Sequence, residues 1–313
     1  MLIAVSMLLI AFPVNASAEA ATVVKAWNIV LGDNIGANFY VEVPEGTADA
    51  AVKVTVADDT KTCKLTAPNA KGLYPVSVDV AAAQMTENIT LQLIADGTEY
   101  APVSYSIRDY AVRILTGNYA ADVKTLVKHM LNYGAAAQEY FGVKTDAPAN
   151  ADFGLDYTAQ YPAEYPELAV EGQLAGVRLY GASLVMTNKV AVRYYFAADS
   201  LEGITFRANG TAYASAEKDG LFYVEIPGIL PQQYGDTIVL TAEKGEEQLE
   251  IAYSPLTYMV RMSQKGSEKM KALVNAMYGY HRAAAAYLGS ADVTVKLPSV
   301  SGGTITADKE KYQ

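Results

Sequence analysis

The side chains best equipped for chemistry in this chain are two histidines, one cysteine and a few adjacent carboxylates, and their spacing fits none of the familiar catalytic or metal-binding arrangements. A structural zinc site needs about four nitrogen, sulfur or carboxylate ligands. His129, His281 and Cys63 fall short of that unless several carboxylates converge, and there is no His-Glu-x-x-His or paired-cysteine spacing. Both histidines fall in helical segments and are expected there as exposed residues. No cofactor is implied.

Gly181-Ala182-Ser183-Leu184-Val185 lacks the second glycine of a nucleophile elbow. No phosphate-binding loop is present, and Val56-Ala57-Asp58-Asp59-Thr60 lacks the alternating acids of a calcium loop. Asp58-Asp59 and Glu246-Glu247 are adjacent carboxylates. Neighbours on a strand point to opposite faces, so these pairs read as solvated turns, not as an acid and base sharing one site. The chain is not expected to be an enzyme.

Tyrosine is the residue type that could serve binding, with 23 tyrosines against 7 phenylalanines. Exposed tyrosine rings stack on sugars and anchor protein interfaces. Tyr110, Tyr133 and Tyr140 fall on a helical apolar stripe or at repeated positions, where packing accounts for them. Tyr157, Tyr161 and Tyr165 lie four apart in a proline-containing stretch and are the candidate binding residues.

These residues must be positioned by elements that the chain carries twice. Tyr105, Ser106, Tyr110, Val112 and Arg113 recur as Tyr253, Ser254, Tyr258, Val260 and Arg261 at an offset of 148. Further on, Leu126, Val127, Met130, Tyr133, Ala137, Tyr140 and Gly142 recur as Leu273, Val274, Met277, Tyr280, Ala284, Tyr287 and Gly289, now at 147. The spacing indicates an internal duplication that lost one residue in the loop joining two helices.

Ser106 can cap a helix with Asp109 at the third position of a capping box, and Ser254 is followed by Pro255 at the first helical position. In the second helix of each copy the stripe runs at spacings of 4 and 3 and ends at a glycine. Burying it is worth roughly 1.5–3 kcal/mol per large side chain, so the hairpin must dock, and the strands ahead of it are the natural platform. Those strands include Ala37–Val43, Val52–Val56 and Ile89–Leu93, then Val190–Phe196, Gly203–Phe206 and Ile238–Leu240, with turns at Asp96-Gly97 and Asn209-Gly210. Arg113 and Arg261 are expected to fix each hairpin to its sheet.

The fold class is therefore α+β, two tandem units, each an antiparallel β-sandwich-like domain followed by an α-helical hairpin. The expected boundaries are 1–18 for a signal peptide, 19–146 for the first unit, 147–172 for a linker, 173–290 for the second unit and 291–313 for the start of a truncated third β module.

The segment Met1–Ile10 is apolar, and Ala16-Ser17-Ala18 fits signal-peptidase cleavage, although no Lys or Arg precedes Lys25. This points to an extracellular or cell-surface location. Beyond that segment no apolar run approaches the roughly 18 residues that span a bilayer. One cysteine allows no internal disulfide, and Cys63 is expected to pack as a small apolar side chain. A net charge of −10 repels nucleic acid and anionic lipid.

The run Leu126-Val127-Lys128-His129-Met130-Leu131-Asn132-Tyr133-Gly134-Ala135-Ala136-Ala137-Gln138-Glu139-Tyr140-Phe141-Gly142, with Gly181–Val185 opening the second copy, resembles tandem modules of large secreted surface proteins of Gram-positive anaerobic, clostridial-type bacteria. Val293–Lys309 resembles the opening strands of small β repeats in such proteins. The second copy departs from the pattern with Gly279-Tyr280-His281-Arg282 where the first has Asn132-Tyr133-Gly134-Ala135. The resemblance implies a non-catalytic structural or adhesive module. Its partners would be other modules of the same longer polypeptide, with a glycan or a host or cell-wall protein as ligand. The alternative is a carbohydrate-binding accessory module of a secreted polysaccharide-degrading enzyme.

Overall fold

The computed structural model describes residues 23–187, 189–289 and 295–301. The chain is α+β, with four antiparallel sheets and four α-helices among the described residues. The signal-peptide expectation, residues 1–18, lies outside them.

The first half runs β1 (Val24–Leu31), β2 (Ile35–Val41), β3 (Ala50–Val56), β4 (Asp59–Lys64), β5 (Tyr74–Val80), β6 (Ile89–Ala95), β7 (Thr98–Glu99) and β8 (Val103–Tyr105). Two helices follow, α1 (Ile107–Thr116) and α2 (Ala121–Phe141). Strands β1, β2 and β5 pair in one sheet, and β4, β3, β6 and β7 in another, with β8 also on β6. Alternation decides which side chains turn inward. Val76, Val78 and Val80 of β5 are buried while Pro75, Ser77 and Asp79 are not.

The two sheets meet at Trp27. Its ring stacks on Phe39 of β2 at 5.7 Å and lies 4.8 Å from Tyr105 of β8 and 4.9 Å from Tyr110 of α1. One indole therefore touches both sheets and the helix. Cys63 departs from expectation and is exposed. It sits on β4, an edge strand whose six residues are all exposed, so neither of its faces is covered.

The second half runs β9 (Ala169–Gly172), β10 (Val177–Met186), β11 (Val190–Ala198), β12 (Thr205–Ala208), β13 (Thr211–Tyr213), β14 (Ser215–Lys218), β15 (Leu221–Pro227), β16 (Ile238–Lys244) and β17 (Glu247–Tyr253). Helices α3 (Pro255–Lys265) and α4 (Glu268–Leu288) complete it. One sheet has the order β10-β11-β15-β14 and the other β13-β12-β16-β17-β9. Phe196 of β11 meets Phe206 of β12 at 5.4 Å, and the Tyr194 hydroxyl donates to the Ile238 carbonyl at 2.9 Å, so these sheets also share a core.

Both helical hairpins start at their expected serines. Ser106 Oγ accepts from the Asp109 N–H at 3.0 Å while Asp109 Oδ2 accepts from the Ser106 N–H at 3.2 Å, closing the capping box. Ser254 Oγ accepts from the Leu256 N–H at 3.2 Å, and Pro255 opens α3. Helix α2 ends at Gly142, whose φ of 71° puts it in the left-handed region.

The expected stripe is buried except at its last tyrosines, Tyr140 and Tyr287, which are half-buried, and its middle docks elsewhere than anticipated. Tyr133 of α2 stacks on Tyr280 of α4, ring centroids 5.8 Å apart and planes 18° apart. The hairpins therefore pack on each other as well as on their own strands. Close approach is made possible by Gly279, where a Cβ would lie 2.7 Å from His129 Nδ1 and 2.8 Å from Tyr157 Cε1. A mid-helix glycine costs about 1 kcal/mol relative to alanine, and here that cost lets α2 and α4 come together. Lys269 and Glu139 form an ion pair across the same helices at 2.9 Å, and Lys189 and Asp33 form another between the halves. The buried residues of both halves form one continuous core.

The stretch between the halves is tied down along its length. Gln138, fully buried on α2, accepts from the Ala149 N–H at 2.7 Å and donates to Thr86 Oγ1 at 3.0 Å and to the Ala147 carbonyl. Asn150 donates to Asn132 at 2.7 Å, and Arg108 donates to the Ala151 carbonyl at 2.8 Å. The described part of the C-terminal segment, β18 (Val295–Lys296) and β19 (Val300–Ser301), pairs antiparallel with β1. It extends the first sheet and does not open a sheet of its own.

Candidate functional site

The two histidines lie together with the tyrosines between the halves, and neither is exposed. His129 is 9% and His281 8% accessible, which corrects the expectation of solvated helix positions. The helical period put them off the apolar stripe, but Gly279 of α4 and Tyr157 cover His129, and residues 231–235 cover His281. His129 meets Tyr157 edge-on at 4.9 Å. His281 Nδ1 donates to the Pro231 carbonyl at 2.7 Å, which fixes its tautomer, and the ring lies against Tyr234 and Tyr278.

Burial holds both imidazoles below their usual 6.5. At His281 the Pro231 carbonyl works against burial, as does Asp236, while Arg282 adds to it. The same desolvation raises the Tyr133 and Tyr280 hydroxyls far above the usual tyrosine range.

This joint is packed too closely to admit a substrate. The cavity beside it measures about 20 Å³, room for a single water molecule. Its lining draws on matching places in the two halves: Ile35 and Val190 at the starts of β2 and β11, Ala82 and Pro231, Tyr133 and Tyr280.

A pH effect follows from the two histidines. Above pH 6.5 they are neutral in the folded and unfolded chain alike, and the joint is at full strength. As pH falls below 6.5 the unfolded chain takes up protons that the folded chain resists, so stability declines until the depressed folded values are passed. The melting temperature is expected to drop from pH 7 to pH 5, and the double variant His129→Gln/His281→Gln to give a flatter slope over that range. Equal slopes for the two proteins would rule the histidines out as the cause.

The candidate tyrosines separate. Tyr157 is committed to His129. Tyr161 donates to the Val274 carbonyl at 3.1 Å and packs on Tyr278 at 4.4 Å. Tyr165 instead lines a groove.

That groove, about 460 Å³ in volume, runs between residues 165–168, β10 and α3. Tyr165 and Glu167 form one wall, held by the Pro166 carbonyl, which accepts from the Thr257 hydroxyl. Tyr180, 64% accessible, stands on the opposite rim. The pairing of β10 with β11 shifts register between Leu179 and Gly181, so Tyr180 is the extra residue of a bulge and is turned out of the alternation. Arg261, Gln264 and Lys265 of α3 complete the lining.

No protein-family model matches the chain, and no curated protein does. Neither Arg261 nor Lys265 makes an ion pair among the described residues. Arg261 lines the groove beside Tyr253 of β17, where it favours the ionised form of a hydroxyl that burial pushes up to about 12. Sequence reasoning missed Tyr180, whose one signal is an aromatic residue beside Gly181 where the strand alternation slips. Among the described residues no group of three or more His, Cys, Asp and Glu side chains could hold a metal ion.

Proposed function

We propose that this chain is a non-catalytic structural or adhesive module of an exported bacterial surface protein. Two copies of one unit, each a β-sandwich-like domain with a helical hairpin, are joined through those hairpins. The observation that carries the reading is the stack of Tyr133 on Tyr280, residues equivalent at the offset of 147, at the centre of the joint. Equivalent residues meet each other only near a two-fold relation between copies, and such a self-complementary contact builds one rigid body from a repeated part.

Trp27 is the single tryptophan and lies in the first half, so its fluorescence follows that half alone, whereas circular dichroism follows both. Urea unfolding is expected to give coincident transitions by the two probes. Separate transitions would show halves that merely share a tether. Export rests on residues 1–18, and the secreted protein is expected to begin at Glu19 when its N-terminus is sequenced. Recovery from inside the cell with residues 1–18 attached would remove that part of the reading.

The alternative, an accessory module that grips polysaccharide, calls for a flat strip of tyrosines on a sheet. Tyr195 and Tyr223 are cross-strand neighbours on β11 and β15, but their planes are 49° apart and the Arg193 guanidinium covers Tyr223 at 4.3 Å while pairing with Glu225. That pair is built as a packed cluster and offers no flat platform.

A further inference from the structure

The groove between α3, β10 and residues 165–168 combines three features that a packing surface does not need. Two tyrosine rings, Tyr165 and Tyr180, border it, and the second is largely exposed on a bulge. Planar or charged polar groups of both senses line it, with Glu167 as acceptor and Arg261, Gln264 and Lys265 as donors. Arg261 and Lys265, four apart on α3, place two cations side by side in a chain of net charge −10.

We propose that this groove binds a carboxylated saccharide. A pyranose ring presents an apolar C–H face to an aromatic ring and hydroxyls at its edge that both donate and accept. Tyr165 and Tyr180 suit the face, and Glu167 and Gln264 suit the edge. The Arg261 guanidinium offers the planar fork that matches a carboxylate, with the Lys265 ammonium adding charge beside it. The volume lies within the ~300–1,000 Å³ of small-ligand sites. The negative charge of the rest of the chain opposes such a ligand, but distant surface charges are screened beyond about 10 Å at ordinary ionic strength, so the two local cations dominate. An acidic peptide fits less well, because it brings neither the ring hydroxyls that Glu167 and Gln264 match nor a C–H face for the two tyrosine rings.

Gly181 on the groove floor gives a clean test. A Cβ there would meet nothing within 4 Å, so a side chain added at this lining position starts in open space and is expected to obstruct the groove. The full chain is probed with a glycan array, then by calorimetry with trigalacturonic acid, 3′-sialyllactose, the neutral sugars maltotriose and lactose, and a hexaglutamate peptide. Carboxylated glycans are expected to bind, at least about tenfold more weakly in Gly181→Trp and in Tyr180→Ala. Arg261→Gln/Lys265→Gln is expected to erase the preference over neutral sugars. Tyr180→Ala removes a mostly exposed side chain, so it reads out binding even where Gly181→Trp disturbs folding.

A silent array at millimolar glycan, equal binding of neutral sugars, binding of hexaglutamate with the same dependence on Arg261, or binding indifferent to Tyr180 would each overturn the proposal. The proposal rests on the adhesive half of the reading above. A silent array with coincident unfolding transitions would sink the ligand and leave the rigid module standing.

Discussion

Tyr280→Ala is expected to destabilise the chain by about 3–5 kcal/mol, the range for deleting a large buried aromatic side chain. Tyr280 is 1% accessible and lies between the two halves, so its loss opens a cavity at the joint and leaves Tyr133 without its stacking partner. The geometric preference of an aromatic pair adds about 0.5–1.5 kcal/mol beyond area burial, and a double-mutant cycle with Tyr133→Ala should return a coupling of that size. Weakening the joint should also split the unfolding curve, with the Trp27 signal and the dichroism no longer moving together. A loss below about 1 kcal/mol with a single transition would show that the halves are held by other contacts, such as the core that surrounds the helices.

Trp27→Ala should cost about as much, 3–5 kcal/mol by the same measure. The indole is inaccessible, and it is where β1, β2, β8 and α1 converge. The two variants differ in reach. In the intact joint, a weakened first half should pull down the melting of the whole chain, because both halves unfold together. Placed in the Tyr280→Ala background, Trp27→Ala should lower only the earlier of two transitions followed by dichroism. If Trp27→Ala already affects only part of the transition in the otherwise unaltered chain, the halves are thermodynamically independent and the rigid-body reading fails.

Local signals were the legible part of this sequence. Ser106 with Asp109, Ser254 with Pro255, and the glycine at 142 act on groups within a few residues, so their geometry follows from the residues themselves. The strand segments around Phe39, Val54, Leu91, Val192 and Leu240 were legible for a similar reason, since alternation needs only a covered and an uncovered face. What lay outside local reach was the identity of each partner surface. A stripe reports that it is buried, not against what, so the meeting of α2 with α4 and the burial of His129 and His281 were invisible in a helical period. Cys63 failed in the opposite direction, because an edge strand lacks the second face that a core position needs.

The groove was harder still. Tyr165 was visible as an unassigned tyrosine, but Tyr180, Glu167 and Arg261 come from separate elements and converge only through the fold. The stretch that carries Tyr165 and Glu167 has no counterpart elsewhere in the sequence, so comparison of the two halves could not reveal it.

The pairing of β19 with β1 has a mechanical consequence. Ala26 faces Ser301 across the ladder, so the described fold is entered and left at neighbouring strands, about 5 Å apart. A force applied between those two ends would meet those few rungs first and peel them in sequence, before it loaded the rest of the sheets.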